Sequence, residues 1–301
     1  SQTSCGIKSC AWVCYKRGLK RLLDVVYLDI DDYILADINT IEVLDSKVRS
    51  DLCSINKPKL LKDLLDDIKV TRKHVKRSDI NFGIVVDATG YKRAMLPDTI
   101  KKRLILPTYQ VRTDNMLPHS KVLYSGGGGY NWMFNMKNTT HIGCGFIDES
   151  VFNETKNKIM KSSGIKCECS SKICLSPPSE CIPYVFLEPK KLTVGIGEAI
   201  GTVSPLTGKG IEFAMESALL LYKSLYEQKI GNNSFPVLDV SEYYSRITKY
   251  FKPLEQEYRV LTNALTQHNN LHDLYVVIRN AYTNGIYVSP FTALKMLKEA
   301  F

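Results

Sequence analysis

The chain contains no run of about 18 consecutive apolar residues, which argues against a membrane-spanning helix. Its first residues, SQTSCGIKSC, lack the apolar core of a secretory leader, so a cytoplasmic location is expected, with attachment to a membrane surface still open. Neither G-x-G-x-x-G nor G-x-x-x-x-G-K-S/T occurs, so the two commonest glycine cradles for nucleotide phosphates are missing. Histidine is scarce, at five in 301 residues, and no Ser/His/Asp arrangement points to hydrolysis. Acidic residues are in deficit, 31 against 40 Lys and Arg, for a net charge of +9. The excess is spread over 16–21, 72–77, 101–103 and 190–191 without interleaved aromatics, so nucleic acid is not the expected partner, and anionic lipid headgroups or a diphosphate-bearing prenyl substrate suit the charge equally well.

Cysteine is not scarce. Nine thiols leave at least one unpaired in any scheme of internal disulfides. Cys167, Cys169, Cys174 and Cys181 form C-x-C-x4-C-x6-C, a poor match to zinc knuckles, so no metal is assigned and disulfides or buried thiols are expected. The abundance of Lys, Ile and Tyr is of a thermophilic kind, in which intracellular disulfides are tolerated.

An apolar fraction of 44% over 301 residues supports a large core in an α/β (α+β) chain. Periodicity predicts a helix over 8–23, two or three strands over 25–55, a helix from Pro58 to Ile68, and a buried strand Ile84–Val86 ending at Asp87. Alternating segments over 104–187 predict an antiparallel sheet with one helix near 150–162. After 211 the pattern is helical almost to Phe301, broken by a loop at 231–239. The resulting domains are 1–100 with 188–230, then 101–187, then 231–301.

The densest stretch is LTVGIGEAIGTVSPLTGKGIEFAMESA, residues 192–218. Leu192, Val194 and Ile196 read as a buried strand, followed by Gly197, Glu198, Gly201 and Pro205. Gly208, Lys209 and Gly210 then open an apolar-periodic helix at Ile211. The first-turn N–H groups of such a helix favour negative charge.

Together with DATGYKR (Asp87–Arg93, including Gly90), this stretch resembles the flavin-dependent geranylgeranyl reductase family of monooxygenase-like oxidoreductases. In that family the first turn sits beside the dinucleotide. A Gly-Asp-(Ala/Ser)-x-Gly-x-x-x-Pro-x-x-Gly-x-Gly segment wraps the ribityl chain and pyrimidine, and here it is GEAIGTVSPLTGKGI, with Glu198 for the usual Asp. GGYNWMF resembles the family's Gly-Gly-Tyr-x-Trp-x-Phe-Pro strand at the substrate channel, with Asn135 replacing the proline. Cys5-Gly6 resembles the Cys-Gly segment facing the ring.

The resemblance implies an FAD-binding-like sheet, incomplete at its N-terminus, an antiparallel substrate-side sheet and a C-terminal helical region. It implies reduction of C=C bonds in isoprenoid lipids or prenyl diphosphates by reduced FAD. Asp87, Gly90, Gly197, Glu198, Gly201, Pro205, Gly208, Lys209, Gly210 and Ile211 would hold the cofactor. Tyr130, Trp132 and Phe134, one face of a strand, would pack the substrate with Gly6, and Cys5 would take a redox or steering role.

The missing G-x-G-x-x-G leaves three alternatives: an N-terminal segment absent or encoded separately, a partner chain that supplies it, or a remnant that no longer binds FAD. A weaker alternative makes Gly6 the last glycine of a degenerate turn and Asp29 the ribose acid after a strand. A flavin halogenase or hydroxylase is the remaining rival.

Overall fold

The computed structural model describes residues 10–80, 83–230 and 233–299. Cys5 and Gly6 lie outside them. In chain order the first elements are β1 (Val13–Tyr15), α1 (Lys16–Asp24), β2 (Ile34–Val43), β3 (Ser46–Ile55), α2 (Lys57–Leu64) and β4 (Gly83–Asp87). Next come β5 (Leu104–Thr113), β6 (Ser120–Leu123), β7 (Gly129–Asn135), β8 (Thr140–Phe146), α3 (Glu149–Met160) and β9 (Ile165–Leu175). They are followed by β10 (Val185–Glu188), β11 (Lys191–Gly195), α4 (Ile211–Lys223), β12 (Leu225–Ile230) and β13 (Asn233–Leu238). The chain ends with α5 (Val240–Leu265), α6 (Leu271–Thr283), β14 (Ile286–Tyr287) and α7 (Pro290–Glu299).

Two compact units result. The first comprises 1–71, 105–173 and 260–301, and the second 72–104 and 174–259. This departs from the expected boundaries, which grouped 1–100 with 188–230. The reason is strand pairing: β2 joins the large sheet through a parallel ladder, Ile41 to Ser120, Glu42 to Lys121 and Val43 to Val122. Residues 13–55 therefore belong with the antiparallel strands.

The first unit is built on a sheet in the order β1-β3-β2-β6-β7-β8-β5-β9, with β14 paired to β3. β2 and β3 meet at a two-residue turn in which Leu44 and Asp45 both have positive φ, 48° and 62°, the handedness that matches strand twist. α3 starts on Asp148, whose Oδ1 accepts from the N–H groups of Ser150 and Val151. It contributes Phe152 and Ile159 to a core with Tyr109, Val111, Cys144 and Phe146.

The helix expected over 8–23 begins later, because Val13, Cys14 and Tyr15 pair with Ser54, Cys53 and Leu52 on the sheet edge. The degenerate-turn alternative also fails: residues 25–29 form no strand, and Asp29 caps a 3₁₀ turn by accepting from the Asp31 N–H.

The second unit holds the three-stranded sheet β10-β11-β4, in which β11 and β4 are parallel and β10 is antiparallel. Its core gathers Leu96, Tyr184, Val194 and Ile200 under α4 and the first half of α5, with Leu220, Tyr243, Ile247 and Phe251. β4 is not the buried strand its apolar run predicted: it is an edge strand, with Ile84 43% and Val86 46% exposed. Leu225–Ile230 and Asn233–Leu238, expected as helix and loop, pair as antiparallel strands instead, with Leu225 opposite Leu238 and Tyr226 opposite Val237. Pro236, which cannot sit in a helix interior, lies in the second of them.

Of the two outcomes expected for Cys167, Cys169, Cys174 and Cys181, disulfides or buried thiols, the structure shows buried thiols. Among the described residues no helix is long and apolar enough to cross a membrane.

Candidate functional site

β4 and β11 run side by side and end together, Asp87 opposite Gly195. Loops beyond the carboxyl ends of parallel strands are where open α/β sheets bind ligands, and both singled-out motifs begin there. Ile196 N–H donates to Asp87 O at 3.0 Å, holding the two loops at their roots.

Asp87 is fully buried, and its carboxylate shapes its own turn. Oδ1 accepts from Thr89 N (3.0 Å) and Thr89 Oγ1 (2.6 Å), and Oδ2 from Met95 N (2.8 Å) and Leu96 N (2.9 Å). With four donors on two oxygens, Asp87 acts as the internal anchor of DATGYKR. Gly90, at φ 76°, opens the 3₁₀ turn that follows.

Arg93 closes the arrangement. Its buried guanidinium donates to Cys181 O and Ala199 O at 2.7 Å, Pro183 O at 3.0 Å and Pro97 O at 3.2 Å. Burial pulls its pKa below the usual arginine value. One side chain thereby ties the DATGYKR turn to the 3₁₀ turn Gly197–Ile200.

That second turn is fixed from several directions. Gly197 N–H donates to Ser217 Oγ at 2.8 Å, and Glu198 Oε1 accepts from Cys174 N–H at 2.8 Å. One oxygen of Glu198 is thus engaged by the end of β9, a use its placement in the motif did not signal. Gly201 caps the turn at φ 74°, where a Cβ would lie 2.7 Å from Ser176 O and 2.8 Å from Cys181 Sγ. Burial pushes the Cys174 thiol up to about 12 and raises that of Cys181, which keeps both protonated and unreactive near neutral pH.

Ser204 organises the loop leading to α4. It accepts from Thr207 N and Thr207 Oγ1, donates through Oγ to Glu257 Oε2 at 2.5 Å, and its backbone pairs with Gly208 N and Lys209 O. Pro205 is buried beside it. Gly208–Gly210 then deliver the chain to Ile211, and Gly210 supplies no side-chain cap to the helix. Glu212, buried in the first turn, pairs with Lys209 at 3.3 Å, and Lys209 Nζ stands 4.8 Å from the centre of the Phe213 ring.

The residues present fit the ring and ribityl side of a flavin. Gly208 and Gly210 carry no Cβ, and the helix N-terminus lacks a side-chain cap. Thr202, fully buried one residue after Gly201, keeps a hydroxyl with no hydrogen-bond partner. Ser204, Ser217, Glu257 and Thr202 were not singled out from sequence, since single Ser, Thr or Glu residues carry no pattern. Arg93 stood within its motif, but its role depends on carbonyls about ninety to a hundred residues away.

In the first unit, Tyr130, Trp132 and Phe134 follow one another on one face of β7. Tyr130 contacts Trp132 edge-on, centroids 5.9 Å apart, and Tyr124 lies 5.8 Å from Tyr130. Trp132 Nε1 donates to Gln110 Oε1 at 3.0 Å, and Gln110 Nε2 lies 3.4 Å from His141 Nδ1. Gly143 leaves room for the indole: a Cβ there would come within 2.4 Å of it. Burial, helped by the charge of Arg112, lowers His141 to about 4, so it is neutral at pH 7. Asn135, in place of the family's proline, donates to Leu117 O and accepts from Leu117 N and Thr140 Oγ1, closing the strand end with its amide.

This architecture is the mixed α/β fold of FAD-dependent oxidoreductases. A geranylgeranyl bacteriochlorophyll reductase-like protein from Thermoplasma acidophilum superposes with a TM-score of 0.61 at 14% identity, over 97% of this chain and 86% of that one. The flavin-dependent brominase Bmp2 gives 0.54 at 10% identity, over 98% and 82%. PqsL of Pseudomonas aeruginosa, described as a probable FAD-dependent monooxygenase, gives 0.50 at 13%, over 87% and 88%. At these identities the likeness is one of fold. No protein-family model and no curated protein matches the sequence.

Proposed function

We propose that this chain is a flavin-dependent oxidoreductase of the geranylgeranyl reductase kind, acting on C=C bonds of isoprenoid lipids or prenyl diphosphates. The supporting observation is the bolting of DATGYKR to GEAIGTVSPLTGKGI by Arg93 at the ends of two parallel strands. When bound, reduced FAD supplies hydride for such a reduction.

The chain's own residues bind, orient and exclude water. Gly208 and Gly210 admit close approach, the α4 N-terminus offers backbone N–H groups, and the Thr202 hydroxyl is available to a bound polar group. Lys209 pairs with Glu212 and lies over the Phe213 ring at that helix end. Tyr130, Trp132 and Phe134 give an apolar strand face for an isoprenoid chain, which needs alignment rather than polar contacts. The unpaired edge of β4 suits a further parallel strand carrying the phosphate turn, from a partner chain or an additional segment.

The test is reconstitution with FAD followed by product analysis. Yellow protein that saturates an isoprenoid alkene under reducing conditions supports the reading. A protein that stays colourless with FAD, even when co-expressed with a candidate strand-donating partner, contradicts it. Hydroxylated or halogenated product would assign the chain to the rival flavin chemistries.

A further inference from the structure

α6 reverses the pattern of an ordinary surface helix, which buries its apolar side. Its inward side carries Asp273 and Asn280 beside Val276, Val277 and Ala281. Asp273 is 0% exposed, and its Oδ2 accepts from Asn263 Nδ2 at 3.0 Å and from Asn270 N at 3.1 Å. The outward side carries Leu271, Tyr275, Ile278 and Tyr282, at i, i+4, i+7 and i+11, a single apolar stripe within the helix. Leu271 is 85% exposed, Tyr275 57% and Tyr282 51%, and Ile278 is half-buried between them.

Ring contacts join cations to this stripe, all within the first unit. The Arg279 guanidinium lies 5.9 Å from the centre of the Tyr275 ring, and the His272 ring 6.3 Å from it. Tyr282 meets Tyr287 of β14 with centroids 5.3 Å apart, and the Arg49 guanidinium, on β3, lies 5.5 Å from the centre of the Tyr287 ring. None of these residues is acidic, and Asp273, the acid of α6, is buried.

An anionic bilayer matches this chemistry. Leucine and isoleucine enter the acyl boundary, tyrosine rings sit there with their hydroxyls among the headgroups, and arginines reach the phosphates. A second copy fits less well, because chains of net charge +9 repel one another and the band has no carboxylate to set against its own arginines. Leu271 projects too far to line a groove for a peptide. The Tyr282 and Tyr287 rings stand at 87°, which gives successive nucleic-acid bases no parallel platforms.

We infer that the outward face of α6, with Tyr287 and Arg49, is a docking surface for an anionic phospholipid membrane. The inference does not rest on the flavin reading, since binding is measured without FAD and either idea can fail alone.

The full chain is tested by co-sedimentation with phosphatidylglycerol vesicles and with phosphatidylcholine vesicles. Binding to the first and not the second, weakening as salt rises, is expected. Leu271→Ser with Tyr275→Ser and Tyr282→Ser should weaken it by at least about tenfold with the charge unchanged, through the apolar area lost. Arg49→Gln with Arg279→Gln should weaken it by about tenfold or more, since each basic residue near an anionic surface contributes severalfold. Unchanged circular dichroism verifies folding of both variants. A third variant reads contact directly: Tyr275→Trp should be quenched by phosphatidylglycerol vesicles brominated on their acyl chains, whereas the native Trp12 and Trp132 are buried and should not. Absence of that quenching, equal binding to both vesicle types, or binding unaltered in either folded variant overturns the proposal. So does a dimer in vesicle-free solution that the serine variant abolishes, or displacement from vesicles by an oligonucleotide that the glutamine variant no longer binds.

Discussion

Arg93 Nη1 donates to Ala199 O at 2.7 Å, linking two loops that are 106 residues apart in sequence. The same guanidinium satisfies Cys181, Pro183 and Pro97, so its removal strands several buried carbonyls at once. Arg93→Met should cost about 3 kcal/mol or more. Arg93→Lys should recover little, because an ammonium lacks the planar fork. Urea unfolding of both variants checks this, and a lysine variant as stable as wild type would refute the role.

Asp87 predicts a second effect. Asp87→Asn turns one acceptor into a donor facing N–H or O–H groups, at a cost of about 2 kcal/mol. Stability should fall whether or not flavin is present. If only flavin affinity changed, with the apoprotein's melting temperature intact, Asp87 would be a ligand contact rather than an anchor.

Gly201 and Gly210 separate folding from binding. Gly201→Ala meets both a φ of 74° and Ser176 O at 2.7 Å, and should lose more than about 2 kcal/mol. Gly210→Ala meets only Val203 Cγ2 at 3.6 Å at an ordinary φ, so stability should stay within about 1 kcal/mol. Flavin affinity, read by fluorescence quenching, should nevertheless fall, because the new methyl enters the approach to α4. A Gly210→Ala variant that binds flavin like wild type would move the site elsewhere.

His141 imposes a pH dependence. Its folded pKa, lowered from 6.5 to about 4, means the unfolded chain binds more protons between those values. The contribution to stability is full above about pH 6.5 and is lost progressively down to about pH 4, up to about 3 kcal/mol in all. His141→Gln should flatten that part of the stability profile. An unchanged slope across the window would show that other groups carry it.

Much of the architecture was legible in local patterns. Alternation in TIEVLDSKVRSDLCSI marked β2 and β3, the pattern near 150–162 marked α3, and the glycine-rich run marked the loop into α4. Where prediction failed, a longer-range contact decided. Val13–Tyr15 became a strand because β3 offered an edge, and Leu225–Ile230 became one because β13 folded back on it. Ile84 and Val86 looked like core because an apolar run does not record whether both faces of its sheet are covered.

The sequence by itself determined that two glycine-bearing turns follow two short strands, with an aromatic strand between them in the chain. Residue type and spacing suffice for that, since backbone conformation at glycine, proline and helix starts is a local matter. Only the tertiary structure decided that Asp87 holds its own turn, that Arg93 joins the two, that Ser204 is held by Glu257, and that Thr202 keeps an unpaired hydroxyl. These are properties of buried polar groups, whose partners are chosen by proximity in the folded core rather than by neighbourhood along the chain.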